Sequence, residues 1–337
     1  MKKVSIVIPC RNEKAYIEKC ILSILNSSYP LELINIYVCD GMSDDGTIEI
    51  INQLIEKHEQ VHLLVNKKQT TPFALNLGIK SSDSAIKIIL GAHAEVDTNF
   101  IKENVAELEK DSSLGCAGGI INNIYENKTS EIIGKAMSSP FGVGNAHFRT
   151  GGKEGYVDTV AFGAYKDEVF DKIGYFDEEL ARNQDDEFNY RLIKNNYKIF
   201  LSKNIISSYY VRASFKKLFK QYYQYGYWKV YVNKKHRTIT TIRQLIPSLL
   251  IASLSIGLIL SLFNNIFLWL VLLEIGVYLF GCFWFASKKS NNLKQISAII
   301  LTFIILHSSY GLGYINGIID FILLRKKPTN KNQNLTR

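Results

Sequence analysis

The pattern of apolar and polar residues changes abruptly near residue 244. Before that point, short apolar runs alternate with segments that repeat apolar residues every three or four positions, which predicts buried strands and amphipathic helices. After it, three long apolar runs follow, at residues 245–263, 266–286 and 296–324. Each is long enough to cross the ~30 Å hydrocarbon core of a bilayer. We therefore expect a water-facing α/β domain followed by a C-terminal helical membrane module.

The first hundred residues predict four strands separated by helices. The predicted strands are Val4–Ile8, Ile34–Cys39, His62–Val65 and Ile86–Leu90. Thr71 and Pro72 begin one of the intervening helices, with proline at its first position. Strand–helix–strand crossovers are right-handed and join parallel neighbours, so this order predicts a mostly parallel sheet flanked by helices.

Polar loops follow the first, second and fourth predicted strands. These loops lie at residues 9–13, 40–46 and 91–95. Open parallel sheets bind ligands at the carboxyl edge, so we expect one ligand site there. The first strand is followed by neither a Gly-x-Gly-x-x-Gly nor a Gly-x-x-x-x-Gly-Lys pattern, which argues against dinucleotide and ATP binding. Asp40 is a candidate partner for a base or ribose, and His93 and Glu95 are candidate ligands of a cation that neutralises a diphosphate.

Two glycine-rich segments follow the first hundred residues. Gly118 and Gly119 lie inside an apolar stretch and predict a close approach of the backbone to a ligand. Residues 138–156 contain many glycines, together with His147 and Arg149, and predict a long loop. Long ordered loops are usually functional, and a disordered insertion is the alternative.

Three acidic residues, Asp185, Asp186 and Glu187, begin a further predicted helix. Acidic side chains in the first turn interact favourably with the helix dipole, which is a purely structural explanation. A general base at the N-terminus of the helix is the functional alternative. The residues alone leave both open.

A basic amphipathic segment separates the α/β domain from the apolar runs. Residues 215–223 place apolar side chains at helical spacing with lysines opposite them, as in helices that lie in the plane of a membrane. Packing against the α/β domain is the alternative. The net charge of +9 is concentrated in this region, which predicts contact with anionic membrane lipid rather than nucleic acid; a solvated basic face is the alternative. The predicted regions are 1–214 (α/β domain), 215–243 (interfacial helix), 244–325 (membrane segments) and 326–337 (polar tail).

The sequence also predicts the compartment. Val4–Ile8 is too short for the apolar core of a cleavable signal peptide, so we expect the α/β domain of a multi-pass membrane protein to stay in the cytoplasm. The five cysteines have no paired spacing and predict reduced thiols. The length of run 296–324 favours three crossings. Three crossings put Arg325–Lys327 outside, against the positive-inside rule, whereas the glycines between 311 and 317 allow a re-entrant or interfacial arrangement.

The order and spacing of these motifs resemble family 2 inverting glycosyltransferases of the GT-A fold, and most of all the branch that builds succinoglycan-type bacterial exopolysaccharide. The resemblance runs from about Val4 to Lys229. It implies that Asp40 and the loop after the first strand bind the nucleotide sugar. It places three residues at the Asp-x-Asp motif of the family. The donor-side residues are Pro9, Arg11, Glu13 and Asp40, and those at the Asp-x-Asp motif are Gly91, Ala92 and His93.

Further residues match the acceptor-side and base motifs of the family. Asp185 matches the aspartate that serves as general base, and Gln184 replaces the preceding glutamate. Gln221 and Gln224 match the Gln-x-x-Arg-Trp motif, so Gln224 replaces an arginine that could contact diphosphate. The acceptor-side matches are Gly119, Phe162 and Gly163.

The resemblance implies transfer of a UDP-linked hexose to a polyprenyl-linked saccharide at the membrane. It also implies a divalent metal, Mn²⁺ or Mg²⁺. Because Gly91 and His93 replace aspartates, His93 with help from Glu95 would hold that metal, and imidazole suits Mn²⁺ better than Mg²⁺. Two alternatives stay open: a polyprenyl-phosphate sugar synthase, and a non-catalytic scaffold of a polysaccharide assembly complex.

Overall fold

The computed structural model describes residues 1–328 and divides into two compact units. The first consists of Met1–Ile124 and His147–Tyr210, and the second of Tyr125–Ala146 and the chain from Val211 onward. The sequence analysis assigns 125–146 to the first domain, but in the structure this segment packs on C-terminal helices. Residues 329–337 of the expected polar tail lie outside the described residues.

The structure contains the four strands expected in the first hundred residues, with ends that differ by up to two residues, and the helices between them, and it adds a short fifth strand. The strands are β1 Val4–Cys10, β2 Ile34–Asp40, β3 Val61–Val65, β4 Ile86–Ile89, β5 Ala94–Val96, β6 Leu114–Ile124, β7 Gly155–Val157, β8 Ala161–Lys166 and β9 Lys198–Tyr210. The helices are α1 Ile17–Leu25, α2 Thr47–Ile55, α3 Thr71–Lys80, α4 Phe100–Lys110, α5 Lys128–Met137, α6 Pro140–Val143, α7 His147–Thr150, α8 Asp167–Ile173, α9 Gln184–Lys194, α10 Phe215–His236, α11 Ile246–Ser261, α12 Asn265–Ser287 and α13 Leu293–Gly317. The expected long loop at 138–156 therefore contains α6, α7 and the start of β7.

The first unit is built on one mixed sheet, in the order β3-β2-β1-β4-β8-β6-β9-β5, with β7 paired to β9. Strands β1 to β4 are parallel, as expected. Beyond β4 the expectation of a mostly parallel sheet is wrong, because β8 lies antiparallel to both β4 and β6. No single crossover helix precedes β8, so the chain is free to return in the opposite direction.

The core of the first unit holds the carboxyl ends of β1 and β2 side by side. Helix α3 lies close against these strands because a Cβ at Gly78 would be only 2.5 Å from a methyl of Val7 and 2.9 Å from the sulfur of Cys39. All five cysteines are buried and none forms a disulfide, which agrees with the expected reduced thiols. Burial raises the pKa of Cys39 to about 12, so this thiol is unreactive at neutral pH.

The second unit consists of helices. Helices α10, α11 and α12 all pack against α13, and α5 and α6 pack there as well. After Gly317 the last helix continues as a π-helical turn, Ile318–Leu323. In the part of the chain that the structure describes, three helical segments are long and apolar enough to cross a membrane: Ile242–Ser261, Asn265–Ser287 and Leu293–Leu323.

Candidate functional site

Hydrogen bonds join the loop after β1 to the loop after β2. Asn12, in the left-handed region with φ of 55°, donates from its side chain to Asp44 at 2.9 Å and accepts from the Asp44 amide at 3.0 Å. The Glu13 amide donates to the Thr47 hydroxyl at 2.9 Å, and the Lys14 amide donates to Asp45 at 3.2 Å. The two loops therefore form one preorganised edge of the sheet.

Asp40 ends β2 beside Cys10 of β1 and is 2% exposed. Its carboxylate accepts hydrogen bonds from the amide and the hydroxyl of Ser43, at 2.9 and 2.5 Å. An ionised carboxylate accepts about four hydrogen bonds, so it retains capacity for a ligand hydroxyl or base. An open pocket of about 470 Å³ lies beside it, with apolar walls that include Leu63 and Val65. A carboxylate beside apolar walls suits a nucleoside.

The other donor-side residues lie along the same edge. Pro9 lies in β1, where it pairs with Cys39 of β2, and is partly exposed. The side-chain stem of Arg11 lies against Gly41, where a Cβ would be 3.4 Å from the Arg11 Cβ and Cδ. The Glu13 carboxylate reaches the loop after β4, where its Oε1 lies 3.3 Å from Nδ1 of His93.

The aromatic ring of Phe162 lies next to Gly91, in the space beside the position that a side chain at residue 91 would occupy. Phe162 has a φ of 48°, a left-handed conformation that is strained for an aromatic residue. Its Cε1 would be 3.3 Å from a Cβ at Gly91. A side chain at position 91 would therefore require this ring to shift slightly. Ala92 is 2% exposed and offers a ligand only its backbone.

The side chains around His93 and Glu95 show whether the chain itself can bind the metal that the resemblance implies. Nδ1 of His93 faces Glu13, and the Glu95 carboxylate accepts a hydrogen bond from the Tyr210 hydroxyl. Within residues 1–328 no group of three or more His, Cys, Asp or Glu side chains is placed to hold a metal ion. These residues therefore do not fit a metal site that the chain completes alone.

A cation that was expected only as part of a long loop lies against the same aromatic ring as His93. The guanidinium carbon of Arg149, on α7, is 5.4 Å from the ring centre of Tyr209, and the His93 ring centre is 4.9 Å from that same ring. Nη1 of Arg149 is buried and has no hydrogen-bond partner within residues 1–328. A buried donor without a partner is costly, so a ligand oxygen would be favourable there. No local sequence pattern signals this contact, since Tyr209 lies on β9.

Asp185 lies in the exposed first turn of α9. The helix is fixed from behind by Arg191, whose guanidinium donates to Glu187 at 2.7 and 2.8 Å and to the Ile173 carbonyl at 2.5 Å. Burial, followed by the charges of Cys116 and Asp185, raises the pKa of Tyr165. Asp185 is thus an exposed carboxylate on a rigid helix, beside β8.

The segment before α9 is held by Asn76 of α3. The Asn76 side-chain amide donates to the Phe176 carbonyl and to Glu178, both at 2.9 Å, and its oxygen accepts from the Phe176 amide at 3.0 Å. At Gln184 the side-chain oxygen is buried and has no hydrogen-bond partner in the described chain. Gln184 therefore retains an acceptor for a ligand.

The two matched glycines Gly119 and Gly163 serve packing. A Cβ at Gly119 would be 1.7 Å from the Ile205 carbonyl oxygen of β9, and one at Gly163 would be 2.9 Å from the sulfur of Cys116. The close approach predicted at Gly119 is thus present, and the approaching group is a neighbouring strand. Gln221 and Gln224 lie on α10 in the second unit, where Gln221 is buried and donates to the Tyr225 hydroxyl at 2.7 Å.

Comparison with protein families and known proteins gives consistent matches. Residues 5–174 match the family described as "Glycosyl transferase family 2". The chain is 38% identical over 234 residues to the dolichyl N-acetyl-alpha-D-glucosaminyl phosphate 3-beta-D-2,3-diacetamido-2,3-dideoxy-beta-D-glucuronosyltransferase of Methanococcus voltae, covering 67% of this chain and 72% of that protein. It is 28% identical over 327 residues to the succinoglycan biosynthesis protein ExoA of Rhizobium meliloti, covering 94% and 95%.

The fold is shared with a solved structure. The mannosyltransferase PcManGT from Pyrobaculum calidifontis, in complex with GDP-Man and Mn²⁺, superposes with a TM-score of 0.61 over 94% of this chain and 87% of that chain. At 13% sequence identity this likeness shows the fold alone. The chain therefore has the GT-A fold.

Proposed function

Because this chain belongs to glycosyl transferase family 2, we propose that it is an inverting, membrane-anchored enzyme that transfers a UDP-linked hexose to a polyprenyl-linked saccharide. The observation that carries the proposal is the open apolar pocket beside the buried carboxylate of Asp40, at the preorganised sheet edge. Asp40 would hydrogen-bond the ribose or uracil. The linked loops with Pro9, Arg11 and Glu13 would orient the nucleoside.

For the diphosphate, we assign charge neutralisation to Arg149. Its guanidinium lies against Tyr209, the ring that also contacts His93, and its buried Nη1 lacks a partner within residues 1–328. An arginine fork matches phosphate oxygens well. Mn²⁺ or Mg²⁺ would bind only together with the donor, whose oxygens would supply the ligands that His93 and Glu95 alone do not provide.

Asp185 would act as general base. It would take the proton from the acceptor hydroxyl as that oxygen forms a bond to the anomeric carbon. The bond from this carbon to the diphosphate oxygen breaks, and UDP leaves with the bonding electrons. Attack from the face opposite the diphosphate inverts configuration, so an α-linked donor gives a β-linkage. Gln184 and Phe162 would line the sugar and acceptor side.

The acceptor and the membrane belong together in this proposal. The Methanococcus voltae relative is named for dolichyl N-acetyl-alpha-D-glucosaminyl phosphate, and the Rhizobium meliloti relative for succinoglycan biosynthesis. These names support a lipid-linked saccharide as acceptor and cell-surface glycan as product. The apolar helices would hold the enzyme at the membrane, with the first unit in the cytoplasm and anionic lipid against the lysines of α10.

UDP release from the detergent-purified full-length protein tests this function. The assay combines a panel of UDP-sugars with membrane lipid extract, and Asp185→Asn is measured beside the wild type. Lipid-dependent release that the substitution abolishes is the expected result. Release that depends on free polyprenyl phosphate alone would instead identify a polyprenyl-phosphate sugar synthase. Failure to bind any nucleotide sugar would overturn the proposal in favour of a scaffold.

A further inference from the structure

The first half of α13 is held by helices α5 and α6. Gln295, near the start of α13, accepts a hydrogen bond from Lys135 of α5 at 3.1 Å. His307, in the middle of α13, contacts the Phe141 carbonyl of α6 through Nε2 at 2.8 Å. The Phe141 ring packs against Phe303 of α13 with ring centres 5.1 Å apart. This half of the helix therefore lies level with α5 and α6.

The second half of α13 packs against α10 so closely that the two backbones are in contact. A Cβ at Gly313 would be 2.0 Å from the Tyr223 carbonyl oxygen of α10. Such contacts between backbones need small residues at the interface. Polar contacts continue to the end: Asn233 donates to the Tyr314 hydroxyl at 3.1 Å, and Lys234 donates to the Phe321 carbonyl at 2.7 Å. This half therefore lies level with α10.

Helices α5 and α10 both start on the side of the membrane that holds the first unit. Ile124 of β6 and Tyr210 of β9 are paired in register at the sheet edge. Only residues 125–127 then precede α5, and only residues 211–214 precede α10. Connections of this length reach no more than about 18 Å, which is too short to cross a ~30 Å hydrocarbon core.

Helices α5 and α10 are also too polar to enter the hydrocarbon. Lys135 of α5 forms an ion pair with Glu131 at 2.6 Å, and α10 ends with Lys234, Lys235 and His236. A lysine at the centre of a bilayer costs about 2.5–3.5 kcal/mol even on the lower scales. Both helices are therefore expected to lie at or outside the polar surface, and α13 touches them from its start to its end.

We propose that α13 lies in the plane of the membrane, in the headgroup–acyl boundary on the side of the first unit, and that only the α11–α12 hairpin enters the hydrocarbon. Half of the most apolar window of Leu293–Leu323 is buried inside the protein, against 6% and 11% for the other two candidate segments. Apart from Lys294 and Ser297 near its start, the side chains that α13 and the turn after it leave exposed are apolar, and in this arrangement they face the lipid. They include Leu301 (49% exposed), Leu312 (45%) and Ile319 (41%).

This arrangement satisfies the positive-inside rule, which three crossings violate. The basic residues on both sides of α13, Lys288 and Lys289 before it and Arg325–Lys327 after it, all lie on the side of the first unit. The inference concerns only the path of the chain, so it does not depend on the sugar, the acceptor or the general base.

Two measurements on the full-length protein test the proposal. In cells, Lys327→Cys and the exposed first-unit control Lys57→Cys are treated with a membrane-impermeant maleimide before and after permeabilisation. The native cysteines are all buried and give little background. We expect both positions to react under the same condition. Reaction of Lys327→Cys from the side opposite Lys57→Cys would overturn the proposal.

Depth in the bilayer provides the second measurement. Fluorophores on Ser297→Cys, Leu312→Cys and Ile319→Cys are quenched in vesicles by lipids brominated at shallow or deep acyl positions, with Leu273→Cys of α12 as the deep reference. An in-plane helix gives three equal, shallow profiles. A profile at Leu312 as deep as that at Leu273, with shallow profiles at the other two positions, would show a crossing helix and refute the inference.

Discussion

The proposed nucleoside side and the proposed phosphate side of the site differ in how many of their polar groups already have partners in the chain. On the nucleoside side, Asp40, Asn12 and Thr47 are all engaged in hydrogen bonds within the chain. On the phosphate side, Gly91 has no side chain, and Nη1 of Arg149 has no partner within residues 1–328. If the donor binds as proposed, its nucleoside meets groups that are already hydrogen-bonded to one another, whereas its phosphates meet a buried guanidinium nitrogen that has no partner in the described residues without it.

Under the proposed function, donor affinity and catalysis therefore depend on different residues. A preorganised edge loses little entropy on binding and gives affinity for the part of the donor that does not react. Groups that find partners only in the bound or reacting state are suited to stabilise the transition state. Substitutions on the nucleoside side should then change donor affinity, and those on the phosphate side should change turnover.

The largest expected effect is that of Asp185→Asn. An amide cannot take the acceptor proton, so kcat should fall by roughly 10²–10⁴-fold while donor affinity stays unchanged. UDP release under saturating donor measures this loss. Asp186→Asn in the same helical turn is the matched control and should retain activity. Equal losses in the two variants would show that the turn matters for folding or charge and not for proton transfer.

Arg149→Ala tests the proposed phosphate side directly. Loss of hydrogen bonds from a charged group is worth about 1.5–3 kcal/mol, so kcat with the sugar donor should fall by about 10–100-fold. Arg149→Lys keeps the positive charge but lacks the planar guanidinium group, so it should retain part of the kcat that Arg149→Ala loses. Lys153→Ala removes one charge from the same loop at an exposed position and should have little effect. If Arg149→Ala changes only KM, Arg149 acts in ground-state binding of the donor, which would contradict the expectation that the phosphate side changes turnover.

Asp40→Asn should act mainly on affinity. The amide is neutral and keeps fewer acceptor sites for the nucleoside, so the Kd for UDP should rise by about tenfold, equivalent to ~1.4 kcal/mol. Calorimetric titration with UDP measures the change. Asp171→Asn, an exposed carboxylate on α8, is the control. If kcat falls instead while UDP binds as before, the nucleoside side is not a binding element.

Gly91→Asp asks whether the phosphate side can be completed without the donor. The new carboxylate would add a third group near His93 and Glu95, provided that the Phe162 ring moves from its position 3.3 Å from the new Cβ. We expect the affinity for Mn²⁺ alone, measured by electron paramagnetic resonance, to rise by about tenfold, and to rise further when Phe162→Ala makes room. The wild type with and without UDP is the reference. No rise in either variant would mean that the metal, when present, binds elsewhere.

The sequence predicts where the residues of the proposed nucleoside side lie much better than it predicts where those of the proposed phosphate side lie, for a physical reason. Asp40 follows a buried strand, and its neighbours are fixed by short parallel crossovers, so local periodicity is sufficient. Arg149 meets His93 through Tyr209 of β9, a contact between residues far apart in the chain. The membrane helices show the same limit: apolar length predicts that 296–324 is long enough to cross, and only packing against α10 shows what covers it.

The smallest expected effect concerns the stability of the nucleoside edge. Partial burial acts to raise the pKa of Asp45, but hydrogen bonds from Thr47 and from the Lys14 amide hold it below its usual value. A carboxyl whose pKa is lower in the folded state stabilises the fold above its unfolded pKa, and loses this contribution as the pH falls through the folded value. Urea unfolding of Asp45→Asn should therefore show a loss below about 1 kcal/mol at pH 7 that shrinks below pH 4. A loss that is the same at pH 3 and pH 7 would show that the charge of Asp45 does not hold the two loops together.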